Sequence, residues 1–492
     1  MSLNPNPIEN FLRKPSKDFT RADLIRFCEK NNVEMINLRY CGWDGRLKTL
    51  NFVIQGKDHL ESVLSAGERV DGSSLFPFVE AGKSDLYVIP RYSTAFMDPF
   101  EEVPTLSLLC SFFGRDAKPF ESSPEYTLRK AAKVFTERTG LEMQAMAELE
   151  YYIISEEEDL YKVEDQKGYH ESTPYNKFTE FRTEAMRLIA SCGGKVKYGH
   201  SEVGNFTMDS LNYEQNEIEF LPVPVCEAAD QIVVAKWIMT KLAYEYGVEL
   251  SFAPKIAAGK AGSGMHVHVK FTRDGKSVMT CSGAKAFGEN GGACADGEVG
   301  ISEECRKAIA GFIDAGTSLP AFGNPSPVSY QRLVPHQEAP TSLCWSFSNR
   351  SALVRVPLGW TSKVDMAGAV NPLDAKKGGV DFSDKQTFEW RASDATADTY
   401  LLMAALCCAA RHGFEMDAAL EVADRTYVGL GVNIHDAANT KLCESLQQLP
   451  ASCAEAAACL EKSRSIYTSS GVFADTLVDF YISLLSGFNE KR

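Results

Sequence analysis

Polar and apolar residues alternate with a period of two in four segments flanked by apolar or aromatic residues: AMAELEYYII, EQNEIEF, GSGMHVHVKF and FEWR. That period belongs to a β-strand. Strands are therefore predicted at 143–154, 215–222, 264–271 and 387–391, with another at 352–357. Longer stretches between them predict helices over 176–191, 226–246, 302–315, 397–413 and 473–486. Nearer the start, Thr20 suits the cap of a helix running to about Lys30, with Leu24, Ile25 and Phe27 on its apolar side. VEMINLRYC and LKTLNFVI are strand-like runs separated by Gly42-Trp43-Asp44-Gly45, whose Asp-Gly is a hairpin signal. DLYVIP and LSLLCSF add further short strands. Ser123-Pro124 opens a helix that Gly140 closes.

These elements predict an α+β protein with a boundary near residue 122: a small N-terminal domain over 19–122 and a larger mixed domain over 123–492. Residues 1–18, polar and carrying three prolines, predict a flexible arm. The segments 281–300 and 358–386 predict long loops. The first reads as an insertion.

Composition narrows the functional classes. The chain has 492 residues, 44% apolar and 24% charged, which excludes a disordered tail, a collagen-like fibre and a coiled coil. The net charge of −15 argues against nucleic acid and anionic membranes as partners. Fourteen cysteines without a Cys-x-x-Cys disfavour a zinc ribbon and predict reduced thiols in a cytoplasm. The longest apolar run, Leu401–Ala410, is too short to span a bilayer. No P-loop is present, and Gly429–Gly431 lacks the third glycine of a dinucleotide fingerprint.

The alternating strands carry polar pairs two residues apart: Glu148/Glu150, Glu217/Glu219, His266/His268 and Glu389/Arg391. Each pair points to one face of its strand. A lone pair of this kind is usually a solvent face. Four of them on apolar strands instead suggest carboxylates and imidazoles gathered round one cavity, since buried charges need partners or a metal. An oxygen-rich set suits Mg²⁺ or Mn²⁺, and an imidazole shifts the preference towards Mn²⁺. Arg332, Arg350 and Arg355 lie beside Pro and Asn turns, and their forks match carboxylate or phosphate oxygens. Asp71-Gly72-Ser73-Ser74 by itself reads as a turn.

In order along the chain, VDGSS, AELEYYI, HSEV…EQNEIEF, AGSGMHVH, RLVPHQEAP, SNRSALVRVP and FEWRASDATADTYL resemble the motifs of the glutamine synthetase family. The resemblance runs from about residue 30 to the C-terminal FADTLVDFYISLL. It implies an N-terminal β-grasp domain and a glutamine synthetase-type catalytic domain whose antiparallel strands form a funnel. It implies two or three Mg²⁺ or Mn²⁺ ions per active site. Glu150, Glu202 and Glu217 would hold one ion; Glu148, His266 and Glu389 would hold another. Glu219 drops out of the ligand set. Arg332 matches a residue that holds substrate glutamate, and backbone at Gly262 lies against the substrate. Arg350 and Arg391 match residues around the transferred phosphoryl and the glutamate carboxylate. Arg355 and His268 match nucleotide-phosphate contacts. Glu338 matches a flap glutamate that shields the intermediate, and Asp71 an aspartate that, contributed by a neighbouring subunit, receives ammonium and helps remove its proton. The implied assembly is a homo-oligomer of hexameric rings, commonly two stacked into a dodecamer.

The expected reaction is ATP-dependent ligation of glutamate and ammonium through a γ-glutamyl phosphate. The alternatives are ligation to another amine, of polyamine type, and a catalytically silent ring scaffold. Several positions depart from the family pattern. NFTMDSLNY is an extra stretch between Glu202 and Glu217, Ala261 stands before Gly-Ser-Gly, and His336 follows RLVP. Thr387 and Lys270 also differ, and Cys443 stands where some relatives carry a modifiable tyrosine, so no adenylylation is expected.

Overall fold

The computed structural model describes residues 3–488 apart from 81, 83, 335–338, 360, 361, 377, 378 and 435. The N-terminal sheet contains β1 (Met35–Cys41), β2 (Leu47–Val53), β3 (Glu68–Asp71), β4 (Asp85–Pro90), β5 (Phe96–Met97) and β6 (Thr105–Phe113) in the order β2-β1-β6-β4-β3, with β5 against β6. The β1–β2 pair is the hairpin predicted at Asp44-Gly45, where Gly45 adopts φ 66°. Ile36, Leu38, Leu106, Leu108 and Val88 are buried against the helices Arg21–Lys30 and Lys57–Ala66. Thr20 closes the first of these in a capping box with Asp23.

Within the segment expected as an arm, the described residues carry a helix. Pro7–Leu12 is a helix whose first amides are capped by the Asn6 side chain, and it buries Ile8 and Leu12 in the N-terminal core. A proline at the first helical position and an asparagine cap make even this short helix a good start.

The larger sheet holds β7 (Glu142–Glu156), β8 (Val196–Met208) and β9 (Leu211–Phe220). Two short strands, β10 (Val223–Pro224) and β11 (Glu249–Ser251), pair with β7. β12 (Met265–Arg273) follows, paired at its end with β13 (Lys276–Ser277). The expected loop 281–300 is bounded by a small ladder of β14 (Thr280–Ser282) with β15 (Val299–Ile301). β16 (Trp345–Phe347), β17 (Val354–Val356) and β18 (Phe388–Trp390) complete the sheet, whose order is β16-β17-β18-β12-β7-β9-β8. All pairs are antiparallel except β16–β17.

One face of this sheet packs on the helices Pro124–Thr139, Val225–Tyr246, Glu303–Asp314 and Thr399–Glu415. The last is buried on all sides, and its LLMAALCCAA run is core. Gly311 and Gly413 let two of these helices touch. A Cβ on Gly311 would stand 2.1 Å from the Ala409 carbonyl oxygen. The opposite face of the sheet is left to the polar pairs. No helix among the described residues is long and apolar enough to cross a membrane.

Candidate active site

The pairing register aligns the polar residues in three rows across the sheet. In one row, Arg355 on β17 stands opposite Glu389 on β18, which stands opposite His268 on β12. In the next, His266 faces Glu148 on β7, Glu148 faces Glu219 on β9, and Glu219 faces Tyr198 on β8. In the third, Glu150 faces Glu217, and Glu217 faces His200. Strand alternation therefore gathers five carboxylates and three imidazoles on one face. Glu148/Glu219 and Glu150/Glu217 are like charges directly opposite one another, which destabilises a sheet unless positive charge intervenes.

Above these rows lies a cleft of about 520 Å³, lined by Glu148, Glu150, Glu202, Glu217 and His266 together with Arg332, Arg350 and Arg391. His266 Nδ1 lies 2.8 Å from Glu148 Oε2. His268 Nε2 bridges Glu148 Oε1 at 2.9 Å and Glu389 Oε2 at 2.7 Å. Glu389 also meets Arg355 Nη1 at 3.0 Å and Arg391 Nε at 3.1 Å. Among the described residues, ligand atoms within 4.8 Å of one another occur in three groups: Glu148/His268/Glu389, His200/Glu202/Glu217 and Glu148/Glu217/Glu219. The donor chemistry is that of Mg²⁺ or Mn²⁺, hard cations that take carboxylate oxygens and tolerate an imidazole.

Local backbone features aim these groups. Between Ser201 and Asn205 the β8–β9 ladder slips, because four steps on β8 match two on β9. This bulge turns both Glu202 and Val203 towards the cleft. Gly264 N–H donates to Glu150 Oε2 at 2.7 Å. The same glycine leaves room for Arg332, whose Nη2 would lie 2.4 Å from a Cβ there. Arg332 is buried and donates through Nη1 to the Ala392 carbonyl at 2.8 Å. Gln215 Nε2 donates to the Gly262 carbonyl at 2.9 Å and reaches Glu150 Oε2 at 3.3 Å, tying β9 to the Gly-Ser-Gly turn.

Electrostatics follows the rows. Burial, and then the surrounding Glu148, Glu150, Glu202 and Glu219, push the Glu217 carboxyl well above its ordinary range. Burial also opposes ionisation of Glu148, but His268 and His266 outweigh it and hold the carboxyl well below. Glu389 is likewise lowered against its burial, mainly by His268.

Glu214, on the other face of β9, is a separate case. Burial raises its carboxyl to about 7, although its Oε2 accepts from Lys177 N–H at 2.7 Å and Asn176 Nδ2 at 3.0 Å. A raised carboxylate pKa makes the fold less stable as pH climbs. Below about pH 4.5 both states keep the proton. From there to about 7 the unfolded chain gives up a proton that the folded chain retains, a cost of about 3 kcal/mol once complete. Glu214→Gln removes this cost. In urea unfolding, the variant should gain about 2–3 kcal/mol on the wild type between pH 5 and pH 8; a parallel pH profile for both proteins counts against the assignment.

The structure thus brings together Glu148, Glu150, Glu202, Glu217, His266, Arg332, Arg350, Arg391 and the backbone of Gly262 round the cleft. His268, Glu389 and Arg355 form the buried row beside it. Asp71 is not in the cleft. It is exposed at the end of the edge strand β3, where Ser74, Ser73 and Ser84 hydrogen-bond its carboxylate and hold it far below the usual range. Glu338 and His336 lie outside the described residues. Lys255, Gln215, Asn349 and His200 were not singled out by the sequence reading, yet the first three line the cleft and His200 Nε2 lies 3.3 Å from Glu217. Gln215 carried a signal: it is two residues before Glu217, on the same strand face.

Comparison with known proteins places this geometry. Residues 121–486 match the family model of the glutamine synthetase catalytic domain, and residues 32–114 that of the glutamine synthetase beta-grasp domain. The chain is 29% identical to a glutamine synthetase of Mycolicibacterium smegmatis, covering 94% of each chain. Its fold is similar to that of Plasmodium falciparum glutamine synthetase, with a TM-score of 0.74, 19% identity and 95% of each chain covered. It is also similar to a GmaS solved with ADP, with a TM-score of 0.71, 16% identity, and 93% and 94% of the two chains covered. A β-grasp domain followed by this carboxylate-lined sheet defines an ATP- and divalent-metal-dependent ligase. The chain belongs to the glutamine synthetase family.

Proposed function

We propose that the protein joins glutamate and ammonia to form glutamine at the expense of ATP, through a γ-glutamyl phosphate. The observation that carries this reading is the cleft itself, whose lining combines four carboxylates and His266 with Arg332, Arg350 and Arg391. Glu150, Glu202 and Glu217 would hold one Mg²⁺ or Mn²⁺, and Glu148, His266 and Glu389 another. Bound there, the ions would neutralise phosphate charge and orient the phosphoryl group.

The residues of the chain supply the rest. A carboxylate is a poor electrophile because oxide leaves badly; phosphorylation by ATP converts that oxygen into a phosphate that departs readily. Arg332 holds glutamate against the Gly262 backbone. Arg350 and Arg391 face the glutamate carboxylate and the phosphoryl in transit, and Arg355 and His268 the nucleotide phosphates. Ammonium must shed a proton before it attacks, which needs an anion such as Asp71. Asp71 stays ionised over the whole working range and lies exposed on an edge strand, as a group lent to a neighbouring subunit must be. We assign Glu338 to a flap that keeps water from the acyl phosphate, and the assembly to hexameric rings.

A second reading changes the amine. Ala261 and Lys270 depart from the family pattern, and the stretch NFTMDSLNY lengthens the β8–β9 hairpin. A phosphate-release screen at fixed Mg-ATP separates the two. Turnover should require both glutamate and ammonium. Turnover faster with an alkyl amine or polyamine favours the second reading, and release indifferent to any amine rejects both.

A further inference from the structure

We propose that Glu219 is a metal ligand, completing with Glu148 and Glu217 a cation position additional to those the family resemblance assigns. The inference rests on reading the cleft as a divalent-metal site and extends it to a residue which that resemblance leaves out.

The register supplies the first argument. Glu219 stands opposite Glu148, and Glu217 opposite Glu150, so β7 and β9 present a square of four carboxylates. The resemblance assigns Glu148 to one ion and Glu217 to another. Glu219 completes a position between those two ligands. One oxygen from each of Glu148, Glu217 and Glu219 lies within 4.8 Å of the others. Adjacent ligands of an octahedral Mg²⁺ lie about 3 Å apart and opposite ones about 4 Å, so the three oxygens would draw together to share one ion.

The second argument is the state of Glu219 itself. Its side chain is 2% exposed. Lys197 Nζ approaches Oε1 at 2.6 Å, while the buried Oε2 has no hydrogen-bond partner among the described residues. A buried carboxylate oxygen without a donor is costly, and a cation shared with Glu148 and Glu217 removes that cost. Glu148 already has His266 and His268 beside it, and Glu217 has His200. Glu219 has Lys197, whose side chain is 40% exposed on a flexible stem, and the Tyr198 hydroxyl opposite it on β8. The ammonium is therefore a competitor that can swing aside, and its removal should favour the ion.

The test counts Mn²⁺ ions bound per chain by the intact, nucleotide-free protein, using the electron paramagnetic resonance signal of free Mn²⁺ together with calorimetry. Glu219→Gln preserves shape and should bind one Mn²⁺ fewer than wild type, with the remaining ions held as before. Lys197→Ala should keep the wild-type count and bind one ion about tenfold more tightly, the equivalent of roughly 1.4 kcal/mol. An unchanged count and unchanged affinities in Glu219→Gln overturn the inference while leaving the metal reading of the cleft intact. Loss of every ion in that variant, or loss of an ion in Lys197→Ala, also overturns it, because Glu219 would then be shaping the sheet rather than binding metal. A wild-type protein that takes up no Mn²⁺ overturns the metal reading together with the inference.

Discussion

Replacing Glu150 with glutamine should lower metal-dependent ATP turnover by at least about 10³-fold in kcat/KM, a loss of about 4 kcal/mol of transition-state stabilisation. Glu150 sits at the centre of the sheet face, across from Glu217 and beside Glu148, and the Gly264 N–H and Gln215 Nε2 both point at its Oε2. Those donors fix the carboxylate before any ligand arrives, so little rearrangement is left for binding. The amide keeps the volume and one acceptor, and the fold should melt within a few degrees of wild type. It lacks the charge that a divalent ion needs and presents an N–H₂ where an oxygen stood. Phosphate release at saturating Mg-ATP, read beside a thermal melt, checks this. A drop of less than tenfold with an unchanged melt would remove Glu150 from the metal site.

Arg332→Ala should raise KM for glutamate roughly 10²- to 10³-fold, the equivalent of about 3–4 kcal/mol of charge-assisted hydrogen bonding, while ATP affinity stays near wild type. Arg332 closes the short helix Pro327–Arg332 and is buried. Nη1 is engaged by the Ala392 carbonyl, and Nη2 approaches His266 Nε2 and the Arg391 carbonyl, each at 3.3 Å. The guanidinium is thus oriented by backbone, and the close pass over Gly264 fixes its height above the sheet. Arg332→Lys restores the charge without the fork and should recover only part of the loss. Equal effects on glutamate and nucleotide binding would mean that the variant disturbs the cleft as a whole.

Much of this arrangement could be read from residue order alone, because a two-residue period is unambiguous when charged residues interrupt apolar strands. Glu148/Glu150, Glu217/Glu219 and His266/His268 stood out for that reason, and the antiparallel register then set them in rows. β8 did not stand out. Gly199, Gly204 and the slip after Ser201 break its alternation, and much of its length is only half-buried. Lys255 and Asn349 carry no periodic signal, since they sit on connections whose path is set by packing at a distance. The contacts that orient Arg332 were hidden as well: main-chain carbonyls leave no trace in side-chain chemistry.

The β8–β9 hairpin closes through Asp209 and Ser210, at φ 54° and 62°, with Met208 paired to Leu211. Positive φ at both central residues suits the right-handed twist of a tight two-residue loop. The ladder below it resumes at Asn205–Glu214, so the extra residues lengthen the two strands without shifting Glu217. An evolving lineage, or an engineer, could therefore extend or trim this tip in matched pairs, one residue on each strand, and every inward side chain would keep its bearing. An unmatched change would invert the strand beyond it unless a second bulge absorbed it. The hairpin is thus a slot in which length can vary while the chemistry holds still.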